Sequence, residues 1–207
     1  MDDPGLAGEE DFPDRIELGR PKPEPRALMM AKQLVYAYVE APSDEDRDYA
    51  AAEAESFLYS LGDDADIAVL LTMLQLPARD GAWPVVELVQ ERLAERAPGA
   101  VPALLRLAFE RGGAASSNAA AILDGLPVRA LALGLIQALA GEAEDSVKES
   151  AAEALVTLGR PVASEILDAL ADPDARPWIV WASGAGGSAT DAEVMRRIVD
   201  ARPAKAE

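Results

Sequence analysis

Apolar residues recur at intervals of three and four along most of the chain after residue 26, a spacing that places them on one face of an α-helix. The pattern is clearest at residues 147–172, where two amphipathic segments flank a Gly159-Arg160-Pro161 corner. Units of this kind recur about every 30 to 36 residues, a period typical of α-solenoids, in which each helix pair buries its apolar face against its neighbours. The pattern therefore predicts an all-α fold built from stacked helix pairs.

Sharp corners separate the first helix of each predicted pair from a second, more apolar helix. Pro98, Pro127 and Pro161 are 29 and 34 residues apart, and proline suits the first turn of a helix because its missing N–H would be unpaired there. Ser43 or Asp44 is placed to cap the helix that ends at Gly62. The corners are Leu61-Gly62, Ala97-Pro98, Leu126-Pro127 and Gly159-Arg160-Pro161.

The chain divides into an arm at residues 1–26, a helical array at residues 27–203 and a short tail at residues 204–207. Pro21, Pro23 and Pro25 disfavour helix in the arm and favour an extended backbone. We expect a disordered or loosely docked arm, the alternative being a short linear motif or a strap over the first helix pair. The fifth and last pair, from residue 176, is degenerate, as terminal repeats often are.

The sequence at residues 147–174 resembles the HEAT-like repeat, especially the short bacterial variety first described in phycobilin lyases. The weaker copies lie at residues 97–110 and 118–139. The resemblance implies a right-handed α-solenoid of about five helix pairs. The residues that carry it are Ala151-Ala152-Glu153-Ala154-Leu155, Leu158-Gly159, Pro161, Ile166-Leu167 and Asp172-Pro173-Asp174.

Proteins with such repeats serve as scaffolds, adaptors, chromophore-lyase subunits and DNA glycosylases, and a shared fold does not choose among these functions. No chromophore-contacting motif is visible in this chain. The glycosylases use a positively charged concave face, whereas this chain carries a net charge of −18. Both enzymatic branches are therefore disfavoured.

The chain contains neither cysteine nor histidine. It thus lacks thiolate nucleophiles, the commonest general base and the commonest transition-metal ligand, which argues against an enzyme and against a metal or other cofactor. The acidic N-terminus and the absence of an apolar run of roughly 20 residues predict a cytoplasmic protein. The Arg-rich, Ala-rich composition is typical of a high-GC bacterial genome, or of salt adaptation.

Charge is unevenly distributed along the chain. Residues 40–66 hold ten carboxylates against Arg47 alone, residues 142–174 hold nine against two cations, and residues 79–129 hold six of each sign. Such acidity disfavours direct contact with nucleic acids or anionic membranes. The acidic blocks either keep an Ala-rich protein soluble or steer a basic protein partner toward it.

Two other motifs are explained without a ligand. Asp63, Asp64 and Asp66 lack the spacing of a calcium loop and are better explained as helix caps. The Gly-rich residues 184–188 lack the Lys-Ser/Thr ending of a phosphate loop and are interpreted as a connection before the last helix.

In HEAT-like arrays the second helices line the concave face, so their polar side chains outside the apolar stripe are candidate contacts. Trp178 and Trp181 either cap the open end of the core or form an exposed aromatic anchor, whereas Trp83 is predicted to anchor the core. The candidate partner-binding residues are Arg106, Phe109, Glu110, Glu165, Asp168, Trp178, Trp181, Asp44, Glu45, Asp63 and Asp64.

These observations favour a non-catalytic adaptor or scaffold that binds a basic protein. The first alternative is an inhibitor or immunity-type protein that mimics nucleic acid, with carboxylates in place of phosphates. The others are an enzyme or ligand-binding protein, and a structural subunit with a permanent apolar interface. Oligomeric state is left open by the sequence.

Overall fold

A computed structural model describes residues 25–62, 65–109 and 112–200, and within those ranges the chain is helical with no strand. The prediction of an all-α fold is thus confirmed. The predicted arm, apart from Pro25 and Arg26, and the predicted tail lie outside the described residues. The helices are α1 Arg26–Val39, α2 Asp44–Leu61, α3 Ile67–Met73, α4 Trp83–Glu95, α5 Val101–Phe109, α6 Ala114–Gly125, α7 Val128–Ala140, α8 Asp145–Leu158, α9 Ala163–Ala169, α10 Arg176–Ala182 and α11 Asp191–Asp200.

The helices begin and end at residues with local signals for doing so. Ser43 caps α2 by accepting a hydrogen bond from the Asp46 N–H at 3.2 Å, and Gly62 ends the helix with a φ of 58°. Asp66 caps α3 by accepting from the Ala68 N–H at 2.9 Å. The capping predictions for Ser43 and Gly62 and the capping interpretation of Asp66 are confirmed.

Helices contact their neighbours in two ways. Successive helices pack as α1 with α2, α3 with α4, α5 with α6 and α7 with α8. Helices two positions apart also contact each other: α1 with α3, α5 with α7, α7 with α9 and α9 with α11 among the odd-numbered helices, and α2 with α4, α4 with α6 and α8 with α10 among the even-numbered ones. The core is thus spread along the chain of helices.

The packed neighbours differ from the pairs that the proline corners suggested. Helices α6 and α7 flank the Leu126-Pro127 corner, yet α6 packs chiefly on α5 and α7 chiefly on α8. Leu126 and Pro127 have ψ angles of 145° and 132°. This extended two-residue connection does not fold α7 back along α6. The predicted second helices α3, α5 and α7 each pack against the first helix of the next pair, whereas α9 contacts α7 and α11.

A glycine permits the contact between α5 and α7. A Cβ built on Gly134 would lie 2.3 Å from the Val101 Cβ and 2.8 Å from the Pro98 carbonyl oxygen. No side chain fits that space, so the two helices approach more closely there than any larger residue would allow.

Buried polar side chains tie the ends of helices to later elements. The Arg92 guanidinium of α4 donates to the Leu58 carbonyl at 2.9 Å, near the end of α2. The Asn118 amide of α6 donates at 2.9 Å to the Leu74 and Leu76 carbonyls that follow α3. Carbonyls at helix ends lack intrahelical partners, so these side chains stabilise the corners.

Candidate partner-binding groove

A groove of about 570 Å³ lies over helices α2, α4 and α6. We call it the acidic groove. Helix α4 contacts both α2 and α6 and supplies most of the lining, so it forms the floor, with the other two helices as walls. The lining residues are Glu55 and Tyr59 from α2, Pro84, Glu87, Leu88, Gln90, Glu91 and Ala94 from α4, and Ala121, Ile122 and Gly125 from α6.

The polar residues of the acidic groove come from consecutive turns of two helices. Glu55 and Tyr59 are four residues apart on α2, and Glu87 and Glu91 are four residues apart on α4. Residues at this spacing share a helix face and are separated by about 6 Å along the axis. Glu87, Glu91 and Tyr59 are exposed and Glu55 is half-buried.

The groove carries negative charge that its lining does not neutralise. Among the described residues, the lining of the acidic groove includes three carboxylates and neither lysine nor arginine. The nearby Arg92 is buried, and its guanidinium points inward to the Leu58 carbonyl. Because carboxylates in a cleft with low-dielectric walls focus the electric field, the groove attracts cations.

The sequence did not single out Glu87 and Glu91 because residues 79–129 are neutral in net charge. Two arginines in that stretch are directed at backbone carbonyls: Arg92 at Leu58, and Arg96 at Ala65. Arg92 is buried and Arg96 is half-buried, whereas both glutamates are exposed. The spacing of Arg92, on the apolar face of α4 with Val85 and Val89, was the signal that this cation is not on the surface.

Most of the predicted acidic residues lie away from this groove. Asp44 and Glu45 are exposed in the first turn of α2, where Asp44 pairs with Arg47 at 2.5 Å. Asp63, Asp64 and Glu110 are outside the described residues. Of the carboxylates at residues 40–66 that the structure describes, Glu55 alone lines the acidic groove.

The predicted outward orientation of Glu165 is wrong. This side chain is only 9% exposed, its Oε1 lies 2.8 Å from the Arg129 Nε, and its Oε2 accepts a hydrogen bond from the Ser164 hydroxyl at 2.7 Å. The Ser164 hydrogen bond and a backbone hydrogen bond lower the pKa of Glu165, with help from Arg129, against the opposing effect of burial. Glu165 is held as a carboxylate by partners that the helical pattern did not reveal.

A second, smaller concavity of about 350 Å³ lies between the predicted second helices α7 and α9. Asp168 lines it and is exposed, as predicted. The Arg129–Glu165 pair crosses it, with Leu133 and Ile136 on the α7 wall. Its cation is already paired with a carboxylate, so its charge is more balanced than that of the acidic groove.

The aromatic candidates are spread over different elements. Phe109 and Arg106 are exposed on α5. Trp178 is partly buried against the core, whereas Trp181 is half-exposed and lines a pocket of about 340 Å³ with Pro177 and Val180. The predicted residues on α5, α9 and α10 are therefore not brought together with the acidic groove.

The prediction that Trp83 anchors the core is wrong, because this side chain is 47% exposed. It is the first residue of α4, and the buried face of that helix is formed by Val85, Val86, Val89 and Leu93. Trp83 begins the helix on its solvent side.

No helix within the described ranges combines the length and the apolar character needed to cross a membrane. In the same ranges, no three carboxylates come together in the manner of a metal site. Models of protein families, curated proteins and solved structures were all compared with this chain, and none of them matches it.

Proposed function

We propose that this protein is a non-catalytic adaptor or scaffold that binds a basic protein partner in its acidic groove. The observation that carries the proposal is the groove itself: three carboxylates from two helices beside apolar side chains such as Leu88 and Ile122, with no lysine or arginine in its described lining. Burial of the apolar lining would supply affinity, and the carboxylates would speed encounter with a basic surface.

The proposal includes a HEAT-like solenoid as the scaffold. The two series of contacts between helices two positions apart support it, since stacked helix pairs produce such series. In this arrangement α2, α4 and α6 would form one layer, and the acidic groove would run across three successive units.

The test is affinity purification of the tagged full-length protein and of a groove variant, Glu55→Gln/Glu87→Gln/Glu91→Gln, from the cells of its source. We expect a basic protein to be captured by the wild type at low salt, and its yield to fall at least about 10-fold in the groove variant or at about 0.5 M salt. Mass spectrometry measures both yields.

A matched control separates groove binding from bulk charge. Glu142, Glu149 and Glu153 are exposed around and on α8, outside the groove. Their replacement by Gln removes the same three charges, so this variant should capture the partner as the wild type does. Equal loss in both variants, or capture unaffected by either, would contradict the proposal.

A further inference from the structure

Helix α1 exposes large apolar side chains on the side that faces away from the core. Tyr36 is 67% exposed and Met29 is 47% exposed. The two residues are separated by two helical turns and lie opposite the buried Ala31 and Tyr38. Gln33, also exposed, lies between them. We call Met29, Gln33 and Tyr36 the outer face of α1, and no element that the structure describes covers it.

The last described helix, α11, has the opposite character. It buries Val194 and Ile198, and its exposed positions are Asp191, Ala192, Arg196, Arg197 and Asp200. The end units of stacked helices present a polar outer face because one side of them meets water. Helix α11 follows this rule and α1 does not, which indicates that the outer face of α1 is covered in the folded protein.

A groove of about 340 Å³ lies between α1 and α2 and offers a place for apolar side chains. Its apolar lining consists of the buried Leu34, the half-buried Phe57 and the exposed Met30. Polar residues of α2 complete the lining, namely Glu53, Ser56 and Ser60. None of these residues lines the acidic groove, so the two surfaces are separate.

The chain that precedes α1 contains a segment with a matching pattern. Phe12, Ile16 and Leu18 are its large apolar residues within positions 12–18, and all three occupy even positions. Side chains at even positions share one face of an extended backbone, so the three would point the same way. Asp14 is the other residue on that face, whereas Arg15 and the remaining odd positions lie on the opposite one.

The length of this segment agrees with the length of α1. Seven extended residues at about 3.3 Å each span about 23 Å, and the 14 residues of α1 at about 1.5 Å each span about 21 Å. Pro25 enters α1 in an extended conformation, with φ −55° and ψ 134°. Residues 19–24 suffice to reverse the chain there, and Gly19 suits the reversal because glycine has few conformational restrictions.

Covalent linkage favours this segment over a second copy of the chain or another protein. A stable interface between separate proteins buries roughly 1,200–2,000 Å², which is far more than a few apolar side chains supply. A segment joined by a short linker acts at an effective concentration in the millimolar range. The same small contact therefore suffices within one chain.

We infer that residues 12–18 pack in extended form along the outer face of α1, with Phe12, Ile16 and Leu18 directed at that face and at the groove between α1 and α2. The N-terminal arm is then a strap that completes the first helix pair, and not a linear motif for another protein. This inference is independent of the acidic groove and of any partner.

The test uses the absence of cysteine from the chain. Gln33→Cys places a single thiol in the middle of the outer face of α1, and Ala192→Cys places a reference thiol at an exposed position of α11. The rate of reaction with a fluorescent maleimide is measured for each full-length variant. Each native rate is divided by the rate of the same variant in urea, which removes differences in intrinsic thiol reactivity.

We expect Gln33→Cys to react at least about 10-fold more slowly than Ala192→Cys, as it would if the strap is in place at least about nine-tenths of the time. Adding Phe12→Ser/Ile16→Ser/Leu18→Ser should raise the rate to that of the reference. The matched control Phe12→Leu/Ile16→Val/Leu18→Ile keeps the apolar surface and should react slowly. The rate should not depend on protein concentration.

The α1 side gives a second test, because Met29→Ser/Tyr36→Ser at exposed positions should release the Gln33→Cys thiol in the same way. Circular dichroism checks that the serine variants keep their helices, so that a faster reaction reports loss of the strap.

Equal rates for Gln33→Cys and Ala192→Cys would overturn the inference. Slow reaction that both sets of serine substitutions leave unchanged would also overturn it. Protection that increases with protein concentration would identify a second copy as the occupant and exclude the strap.

Discussion

Single polar residues hold helix ends to elements that are distant in sequence. Arg92 is 34 residues from its acceptor Leu58, and Asn118 is 44 and 42 residues from Leu74 and Leu76. In α10, Arg176 donates to the Leu170 and Ala189 carbonyls and pairs with Asp191. A helical pattern can place such a residue on the buried face, as it does Arg92, but it contains no information about a partner this far away in sequence.

The Asn118 amide gives a direct measure of this stabilisation. Asn118→Ala leaves the Leu74 and Leu76 carbonyls without this buried donor, so we expect the free energy of unfolding to fall by about 2–3 kcal/mol. Urea denaturation measures the loss. The neighbouring exposed Ser117→Ala is the control and should change stability by less than about 0.5 kcal/mol. A similarly small loss in Asn118→Ala would show that water replaces the amide.

The ion pair and hydrogen bonds of Glu165 predict that the stability of the fold depends on pH. Its pKa is lowered from 4.5 in the folded protein, chiefly by the Ser164 hydrogen bond. The carboxylate therefore contributes stability that is complete above its ordinary pKa and is lost as pH falls through its lowered pKa.

Glu165→Gln should accordingly lower Tm by a few degrees at pH 7, with the difference from wild type shrinking as pH falls from 4.5 towards and below the lowered pKa. Thermal unfolding by circular dichroism across that range, with Asp168→Asn as an exposed control, makes the comparison. A difference that stays constant with pH would contradict the role of the charge.

At the scale of elements, the helices were predictable and their partners were not. The Ser43 and Gly62 signals placed the ends of α2 correctly because capping depends on residues adjacent in sequence. The packing of α7 on α8 across residues 141–144, instead of on α6 across Leu126-Pro127, depends on the path of the connections. Apolar periodicity shows which face is buried but not which helix covers it.

The α5–α7 contact predicts an asymmetry between glycines. Gly134→Ala places a Cβ 2.3 Å from that of Val101, and such overpacking should lower the free energy of unfolding by about 1–3 kcal/mol. Gly125→Ala, with nothing within 4 Å of its Cβ, should be neutral or gain up to about 1 kcal/mol of helix propensity. Chemical denaturation of both variants measures the two changes in the free energy of unfolding. Equal effects would mean that α5 and α7 can separate freely.

For the molecule as a whole, 37 acidic residues against 19 basic ones leave a net charge of −18. This excess of negative charge could be read from the sequence, but the position of the acidic groove could be found only from the folded structure. Its three carboxylates come from two segments about 30 residues apart, and the neighbouring Arg92 is turned inward. Linear charge counts assign every side chain to the surface, so they hide a groove that takes two of its three carboxylates from a neutral stretch.

The net charge predicts that salt stabilises the fold. Raising NaCl from about 0.01 M to about 1 M shortens the screening length from about 30 Å to about 3 Å and weakens repulsion between carboxylates. We expect Tm to rise by several degrees, equally in KCl, and to rise less in Glu142→Gln/Glu149→Gln/Glu153→Gln. Differential scanning calorimetry measures the shift. A Tm that stays flat or falls with salt would contradict the argument.

The carboxylates that face the groove are separate from the side chains that hold the helices together. Glu87, Glu91 and Ala121 are exposed, whereas Val86 and Val89 of the same α4 are buried. Replacing the outer set leaves the inner set in place. On the proposed function, the sign of the charge in the groove can therefore be reversed at little risk to folding: Glu87→Lys/Glu91→Lys should turn capture from a basic partner to an acidic one.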